Sequence, residues 1–493
     1  MEYRKEILRL LDDIGTSEVL NSAYDTAWVA RLAPRGEAVG RHALEWLRKN
    51  QLADGTWGAE LPRYYHDRLV CTLAAAIALV VNDDPQDADR IQRAKFALET
   101  VIEDLRGEMT IETVGFELFV PTLFHEAERL GIVQKKDYTE MPMLKAVRER
   151  KLSRLPGGVV NRHVTLAFSA EMAGTDEIGL LDVARLQEAN GSVGNSPAAT
   201  AYYLLHVRPD DQAALNYLYR VARPDGGVPF LTPFDIFEPL WVLWNVALLC
   251  DMDDELIAAC QRHLDHIEKN WTPGKGIGHA EGYMLKDGDD TGVAYDILRR
   301  FGRSLDLETV LTFEEREYFR CYALEANPSI CTNIHILQAL RNAGVPSNDP
   351  SVQKIKTFLH STAFWFDKWH VSPYYATSHA VIAAAGYLDG LVEDAVNWMI
   401  DTQNEDGSWG YFMPTAEETA YALQALVVWH RNGHEVPPEI LARGAAWLES
   451  RVDAPNPPLY IGKCLYLPVL IVRATILSAL ALVTEILNEK ATC

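Results

Sequence analysis

The phrase Gln51-Leu-Ala-Asp-Gly-Thr-Trp57-Gly58 returns in the other half of the chain as Gln403-Asn-Glu-Asp-Gly-Ser-Trp409-Gly410. Degenerate echoes stand at Gln187-Glu-Ala-Asn-Gly-Ser-Val193-Gly194 and Pro224-Asp-Gly-Gly-Val228. The Asp-Gly or Asn-Gly pair makes a tight turn, and the Gln amide can bond the backbone at the start of the following helix. The Trp can stack against that bonded plane. Around these phrases apolar residues recur at three- and four-residue spacing, as in 43–49, 69–81, 240–249, 332–343, 419–429 and 440–449. No long period-two alternation appears. One turn beside an aromatic is ordinary, but two full copies, one in each half, predict an all-α chain. Its helical hairpins form two rings, with clasps tying outer helices to inner ones.

At 493 residues the chain is long for one domain. The halves are expected to part around 206–222, where Arg208-Pro209-Asp210-Asp211 is turn-rich, and the opening helix fits either ring. Twelve Trp and twenty Tyr suffice for a core and for the walls of an apolar cavity. A net charge of −23 argues against a nucleic-acid partner, which demands a basic surface, and reads as solubility. The seven cysteines are scattered without C-x-x-C or metal-ligand spacing, so they read as reduced core residues in a cytoplasmic protein. The N-terminus is a short charged amphipathic helix without a signal-peptide apolar core. The greasy stretch 465–487 is broken by Pro468, Arg473 and Glu485, and reads as a packed helix that does not span a membrane.

Chemistry concentrates at Lys286-Asp-Gly-Asp-Asp-Thr-Gly-Val-Ala-Tyr295, where Asp287, Asp289 and Asp290 stand almost side by side. Like charges this close cannot all ionise cheaply in a dry pocket, so at least one carboxyl should keep its proton. Thr291 and a helix-forming stretch follow, which places the motif where a loop enters a helix. Acidic residues at a helix start also serve as simple caps. Two other acidic runs read as such decoys. Asp251-Met-Asp253-Asp254 runs into Glu255 with no hydroxyl after it, and Asp83-Asp84-Pro85-Gln86-Asp87 reads as a solvated turn or helix start.

The clasps combined with D-x-D-D-T resemble the class II terpene cyclases and their squalene–hopene cyclase relatives. The diterpene branch is resembled more closely. Its motifs are matched by Ala23-Tyr-Asp-Thr-Ala-Trp28, Val114-Gly-Phe-Glu117, Lys151-Leu-Ser-Arg154-Leu-Pro156, Asn190-Gly-Ser-Val-Gly-Asn-Ser-Pro197, Asp235-Ile-Phe-Glu-Pro-Leu-Trp241, Trp271-Thr-Pro-Gly-Lys-Gly276 and Ile461-Gly-Lys463-Cys-Leu-Tyr466. Thr332-Asn333-Ile-His335 and Asp367-Lys-Trp369-His370 resemble compact bacterial enzymes making halimadienyl diphosphate. That pattern carries Thr where this chain has Asp290, which leaves the product open.

The resemblance implies a β domain (1–18 plus 215–493) carrying the acid and an inserted γ domain (19–214), both α/α barrels. It implies an isomerase that protonates geranylgeranyl diphosphate and cyclises it with the diphosphate retained. The expected product is a bicyclic diterpenyl diphosphate of rearranged, halimadienyl or kolavenyl (clerodane) type. Copalyl diphosphate, a drimenyl product from farnesyl diphosphate, and triterpene cyclisation are the alternatives. A scaffold that uses the barrel as a binding surface would have no need of the desolvated aspartates. Asp289 is the implied proton donor, with Asp287 and Asp290 supporting it. Asn333 and His335 lie two apart on a predicted helix, so at most one addresses the acid. Candidate diphosphate ligands are Lys151, Arg154 and Lys463. Glu112 and Glu117 are candidates for Mg²⁺, a helper bound with the diphosphate. Trp241, Trp244, Trp271, Tyr295, Trp365 and Phe412 are the aromatics offered as cavity wall. The implied partners are a downstream class I synthase or a phosphatase. A homodimer stays open.

Overall fold

The computed structural model describes residues 2–15, 19–105, 113–134, 141–249, 252–325 and 327–491. Among the described residues the regular structure is helical, apart from a hairpin of β1 (Tyr460–Ile461) and β2 (Leu465–Tyr466) that sets Tyr460 opposite Tyr466.

The helices close two rings. After α1 (Glu2–Asp13) come α2 (Ala23–Ala30), α3 (Ala38–Lys49), α4 (Tyr65–Asn82), α5 (Ala88–Leu105), α6 (Phe116–Arg129), α7 (Met141–Leu152), α8 (Pro197–Tyr202) and α9 (Gln212–Val221). The inner wall runs from α2 to α4, α6, the 3-10 stretch Thr165–Ala173 and α8, then back to α2, with α3, α5, α7 and α9 outside.

The second ring comprises α10 (Phe237–Val246), α11 (Asp254–Asn270), α12 (Gly288–Arg300), α13 (Leu307–Leu311), α14 (Ile330–Asn342), α15 (Pro350–Leu359), α16 (Pro373–Ala384), α17 (Asp389–Asp401), α18 (Ala416–Arg431), α19 (Pro438–Glu449) and α20 (Val469–Ala491). Its even-numbered helices pack each on the next, and α20 returns to α10. The odd-numbered helices lie outside. The opening helix α1 joins this ring, packed on α20 and α11. Residue 214 falls inside α9, and α9 packs on α8, so the first ring runs through residue 221.

Position in the ring explains the sequence of each helix. Inner helices are enclosed on all sides, and every residue of α16 is buried. The outer helix α19 buries Ile440, Leu441, Gly444 and Leu448, a single stripe. Most of α20 is buried too, although its Val469–Leu487 stretch is long and apolar enough to cross a membrane.

The clasps share one construction. Gln51 Nε2 donates to the carbonyls of Gly55 (2.9 Å) and Arg90 (3.0 Å), and Gln403 Nε2 to those of Gly407 (3.0 Å) and Ile440 (2.9 Å). Trp57 and Trp409 are fully buried and donate their indole N–H to Leu47 O and Met399 O, on the preceding outer helices. Each clasp therefore ties two consecutive outer helices together. Gly444 is needed for this, since a Cβ there would lie 2.7 Å from the Trp409 ring.

Candidate active site

The acid motif opens α12. Asp287 is its N-cap, and its Oδ1 accepts the N–H of Asp290 at 2.8 Å. Gly288 donates its N–H to Cys321 O at 2.9 Å, and a Cβ at this position would lie 2.3 Å from Arg320 O. Thr291 Oγ1 accepts from Ile277 N at 3.0 Å, anchoring the helix start to the preceding loop. That loop needs Gly276, whose φ is +84° and whose added Cβ would sit 2.1 Å from Thr291 Oγ1. The W-T-P-G-K-G block thus helps to seat the motif.

All three carboxyls are buried. Burial, and then the neighbouring Asp289, push Asp287 up to about 7. Burial and the charges of Asp287 and Asp289 raise Asp290 well above the ordinary range, and its carboxyl is hydrogen-bonded to that of Asp287. This pair shares a proton rather than ionising twice. Asp289 faces the other way, and its Oδ1 lies 2.6 Å from Nδ1 of His335 on α14. His335 Nε2 in turn lies 2.9 Å from Nδ1 of His379 on α16.

The acid group stands on the wall of a cavity of about 620 Å³, well within the range of small-molecule pockets. Phe230, Phe234, Phe237, Trp241, Tyr375 and Tyr466 face it near the acids. Tyr460 does so too, with its hydroxyl 2.9 Å from that of Tyr421. His279 is on the same wall, pushed down to about 3 by burial, and its Nε2 accepts from Asn195 Nδ2 at 3.1 Å. Farther along, the lining carries the basic side chains Lys151 and Arg154, with His163, beside Glu117. The cavity is therefore bipolar: a desolvated acid at the aromatic part, and basic side chains elsewhere on the lining that can meet an anionic group.

Several sequence expectations need correction. Asn333 does not reach the acid. Its amide donates to Phe319 O (3.0 Å) and Ser329 O (2.9 Å) and accepts from Phe319 N (2.8 Å), so it braces the loop ahead of α14. Lys463 is no diphosphate ligand. It is fully buried away from the cavity, bonded to Glu171 at 2.5 Å and Ser196 at 2.9 Å, because the hairpin tip turns it into the first ring.

Of the six aromatics, only Trp241 lines the cavity. Trp244 lies behind it against His379, Trp271 packs on Tyr295, and Trp365 donates to Leu359 O as part of another clasp. Phe412 is 39% exposed on the surface. The sequence pattern does not single out His379, which follows Thr377 and Ser378 in the wholly buried α16. It also misses the loop aromatics Phe230, Phe234 and Tyr322.

Glu117 lines the cationic region and pairs with Lys151. It offers a hard oxygen of the kind Mg²⁺ takes beside a diphosphate, while Glu112 lies outside the described residues. Away from the cavity, Asp67, Cys71 and Cys464 bring possible ligand atoms within 4.8 Å of one another. Asp67 already accepts the N–H groups of Ala59 (2.7 Å) and Leu465 (2.8 Å), so this cluster is a brace between the rings. The decoy carboxylates behave as caps and ion pairs, and Asp87, expected in a solvated turn, is buried against Arg48 at 2.7 Å. Asp253 caps α11 and pairs with Arg4 at 2.5 Å, and Asp84 pairs with Arg48 at 2.9 Å.

The chain is similar to known proteins along nearly its whole length. The model of the squalene-hopene cyclase C-terminal domain matches residues 320–453. A type B diterpene cyclase of Mycobacterium tuberculosis is 44% identical, over 95% of this chain and 96% of the relative. An ent-copalyl diphosphate synthase of a Streptomyces species is 33% identical, over 93% of this chain and 91% of the relative. Among solved structures, the ent-copalyl diphosphate synthase from Streptomyces platensis superposes with a TM-score of 0.79 at 30% identity, covering 98% of this chain and all of that one. The chain belongs to the class II diterpene cyclase family, and it is an enzyme.

Proposed function

We propose that this class II diterpene cyclase is an isomerase, an intramolecular lyase that protonates the terminal alkene of geranylgeranyl diphosphate and closes a bicyclic diterpenyl diphosphate. The observation that carries the reading is the Asp289–His335 contact at the aromatic part of a cavity whose lining also bears cations.

An alkene is a very weak base, so its acid must be strong and dry. Asp289 is assigned that role. Its O–H bond breaks as the proton adds to the terminal double bond, and the resulting cation is captured by the next alkene twice over. The carboxylate left behind is stabilised by the hydrogen bond to His335. Asp287 and Asp290, sharing one proton, keep the neighbourhood from accumulating a further full charge. Trp241, Phe234 and Tyr466 present ring faces to the migrating cation without attacking it. Loss of one proton at the end makes the product an isomer of the substrate.

The diphosphate is assigned to Lys151 and Arg154. Glu117 would hold Mg²⁺ there, supplying charge neutralisation for the diphosphate and no part of the proton transfer. The division into a β domain, including α1, and a γ domain fits the ring to which each helix belongs. The described cysteines are buried and unbridged, which suits a reducing, cytoplasmic setting. A downstream class I synthase or phosphatase would consume the product.

We read the skeleton as rearranged, halimadienyl or kolavenyl in type. On the aromatic wall the lone pair of His279 is already taken by Asn195, and a cation without a ready base persists long enough for 1,2-shifts. Copalyl diphosphate is the second reading, favoured by the names of the 30–33% identical relatives. Incubation with geranylgeranyl diphosphate, dephosphorylation and NMR of the alcohol decide between them. A rearranged alcohol is expected. Unrearranged copalol would refute the skeleton, and failure to cyclise any prenyl diphosphate would refute the function.

A further inference from the structure

Behind the acid, two imidazoles are joined in series. His335 touches Asp289 Oδ1 through Nδ1 at 2.6 Å and His379 Nδ1 through Nε2 at 2.9 Å. The far nitrogen of His379, Nε2, is buried and has no partner among the described residues. The rings of Trp241, Trp244, Tyr375 and Tyr421 surround it at centroid distances of 4.4–5.9 Å. His379 is itself 1% exposed and absent from the cavity wall, so it does not touch substrate.

We infer that His379 is a positioning residue that fixes the direction of the His335–Asp289 hydrogen bond, forcing His335 to donate to Asp289 and leaving the proton of Asp289 free for the substrate. This deepens the proposed function and rests on Asp289 being its acid.

Burial, with His335 and His370 nearby, drives the pKa of His379 far below its ordinary value, so the ring is neutral and carries a single N–H. If that hydrogen were on Nε2, a buried donor would point at ring faces without a hydrogen-bond acceptor. Buried N–H groups are almost never left unpaired, whereas an unfilled acceptor is less costly. The hydrogen therefore sits on Nδ1 and is donated to Nε2 of His335. With Nε2 accepting, the hydrogen of the His335 ring sits on Nδ1, whose hydrogen-bond partner among the described residues is Asp289 Oδ1. With Oδ1 accepting, the carboxylic proton of Asp289 resides on the other oxygen. The reverse arrangement would have Asp289 donate to His335, and the acid would be spent on the protein.

Two substitutions and one spectrum test this. His379→Phe keeps a flat ring but removes the donor. Its kcat should fall by about two to three orders of magnitude, the scale of a misdirected general acid. KM should stay within about threefold, because no substrate contact changes. His379→Asn retains an N–H donor at the corresponding position and should recover to within about tenfold of the parent. In ¹⁵N-histidine-labelled protein, NMR should show His335 protonated at Nδ1 and bare at Nε2, and this signature should be lost in His379→Phe.

Parental kcat in His379→Phe, or an asparagine variant no better than the phenylalanine one, would overturn the inference. So would a parental His335 protonated at Nε2, a result that needs no folded variant. The tautomer is read without turnover, so it also separates this inference from the functional reading. Absence of cyclisation by the parent with the expected tautomer present would sink the function and leave the relay.

Discussion

Two buried polar clusters can be set side by side, one between the rings and one inside the second ring. In the first, Lys463 binds Glu171 (2.5 Å) and Ser196 (2.9 Å), Tyr24 donates to the same carboxylate (3.0 Å), and Asp25 accepts from Ser22 Oγ (2.9 Å) and Ala198 N (3.0 Å). Here a lysine meets a carboxylate of opposite sign, and none of these side chains lines the cavity. In the second, Asp287, Asp289 and Asp290 crowd together with imidazoles behind them and an aromatic cavity in front. Lys286 lines that cavity but donates to Tyr283 O at 3.1 Å. Burial and charge are common to both clusters. What separates them is balance: the first is closed by its own lysine, whereas the second keeps a proton it can give to something in the cavity.

The largest expected difference comes from removing one carboxyl or cation from each. Asp289→Asn should lower turnover by at least about three orders of magnitude while leaving thermal stability near the parent, since an amide cannot protonate an alkene. Lys463→Met should do the opposite. Stripping the cation leaves Glu171 buried without its partner, a loss of about 3–5 kcal/mol, seen as a large fall in Tm, with kcat of the remaining folded enzyme little changed. Calorimetry and steady-state kinetics on both variants check this. Matching losses of stability and activity in the two would erase the distinction.

A smaller effect lies in pH. Asp25 is pushed up to about 7 by burial, partly opposed by Lys463, and Asp287 reaches about 7 by burial and Asp289. A carboxyl whose folded pKa lies above its unfolded one binds more protons when native. The contribution of each of these two groups to stability should therefore fall as pH rises from about 4 toward 7 and then level off. Asp25→Asn and Asp287→Asn should each flatten that slope in chemical denaturation. Only Asp287→Asn should also alter the alkaline limb of the kcat profile. A shift of that limb by Asp25→Asn would couple the clusters. The smallest effect is expected at the decoy. Asp253→Asn keeps a good helix cap and should leave both Tm and turnover at parental values. Loss of turnover there would mean that acid chemistry is not confined to α12.

This comparison also explains what the sequence could convey. Helical periodicity and the repeated clasps specify the rings, because a Gln, an Asp-Gly turn and a Trp each have a local partner wherever the fold places them. The acid motif is legible for a similar reason: three carboxyls in four residues must be managed whatever surrounds them. Lys463 was not legible. A lysine in a Gly-containing hairpin tip reads as an exposed cation, and only the insertion of that tip between the rings buries it. His379 is hidden because inner helices are buried on every side, so no single face marks the direction of the acid. The same all-round burial makes Trp244 and Tyr295 look like cavity wall. Much of the actual wall comes instead from loops and the hairpin, through Phe230, Phe234, Tyr322, Tyr460 and Tyr466.

The claim that the open cluster delivers its proton to the substrate is tested most directly in heavy water. Enzyme equilibrated in D₂O and given geranylgeranyl diphosphate should yield a bicyclic product carrying one deuterium on a ring carbon, with the diphosphate still attached and none released. A hydrocarbon formed with stoichiometric inorganic diphosphate, or a cyclised product free of deuterium, would contradict it.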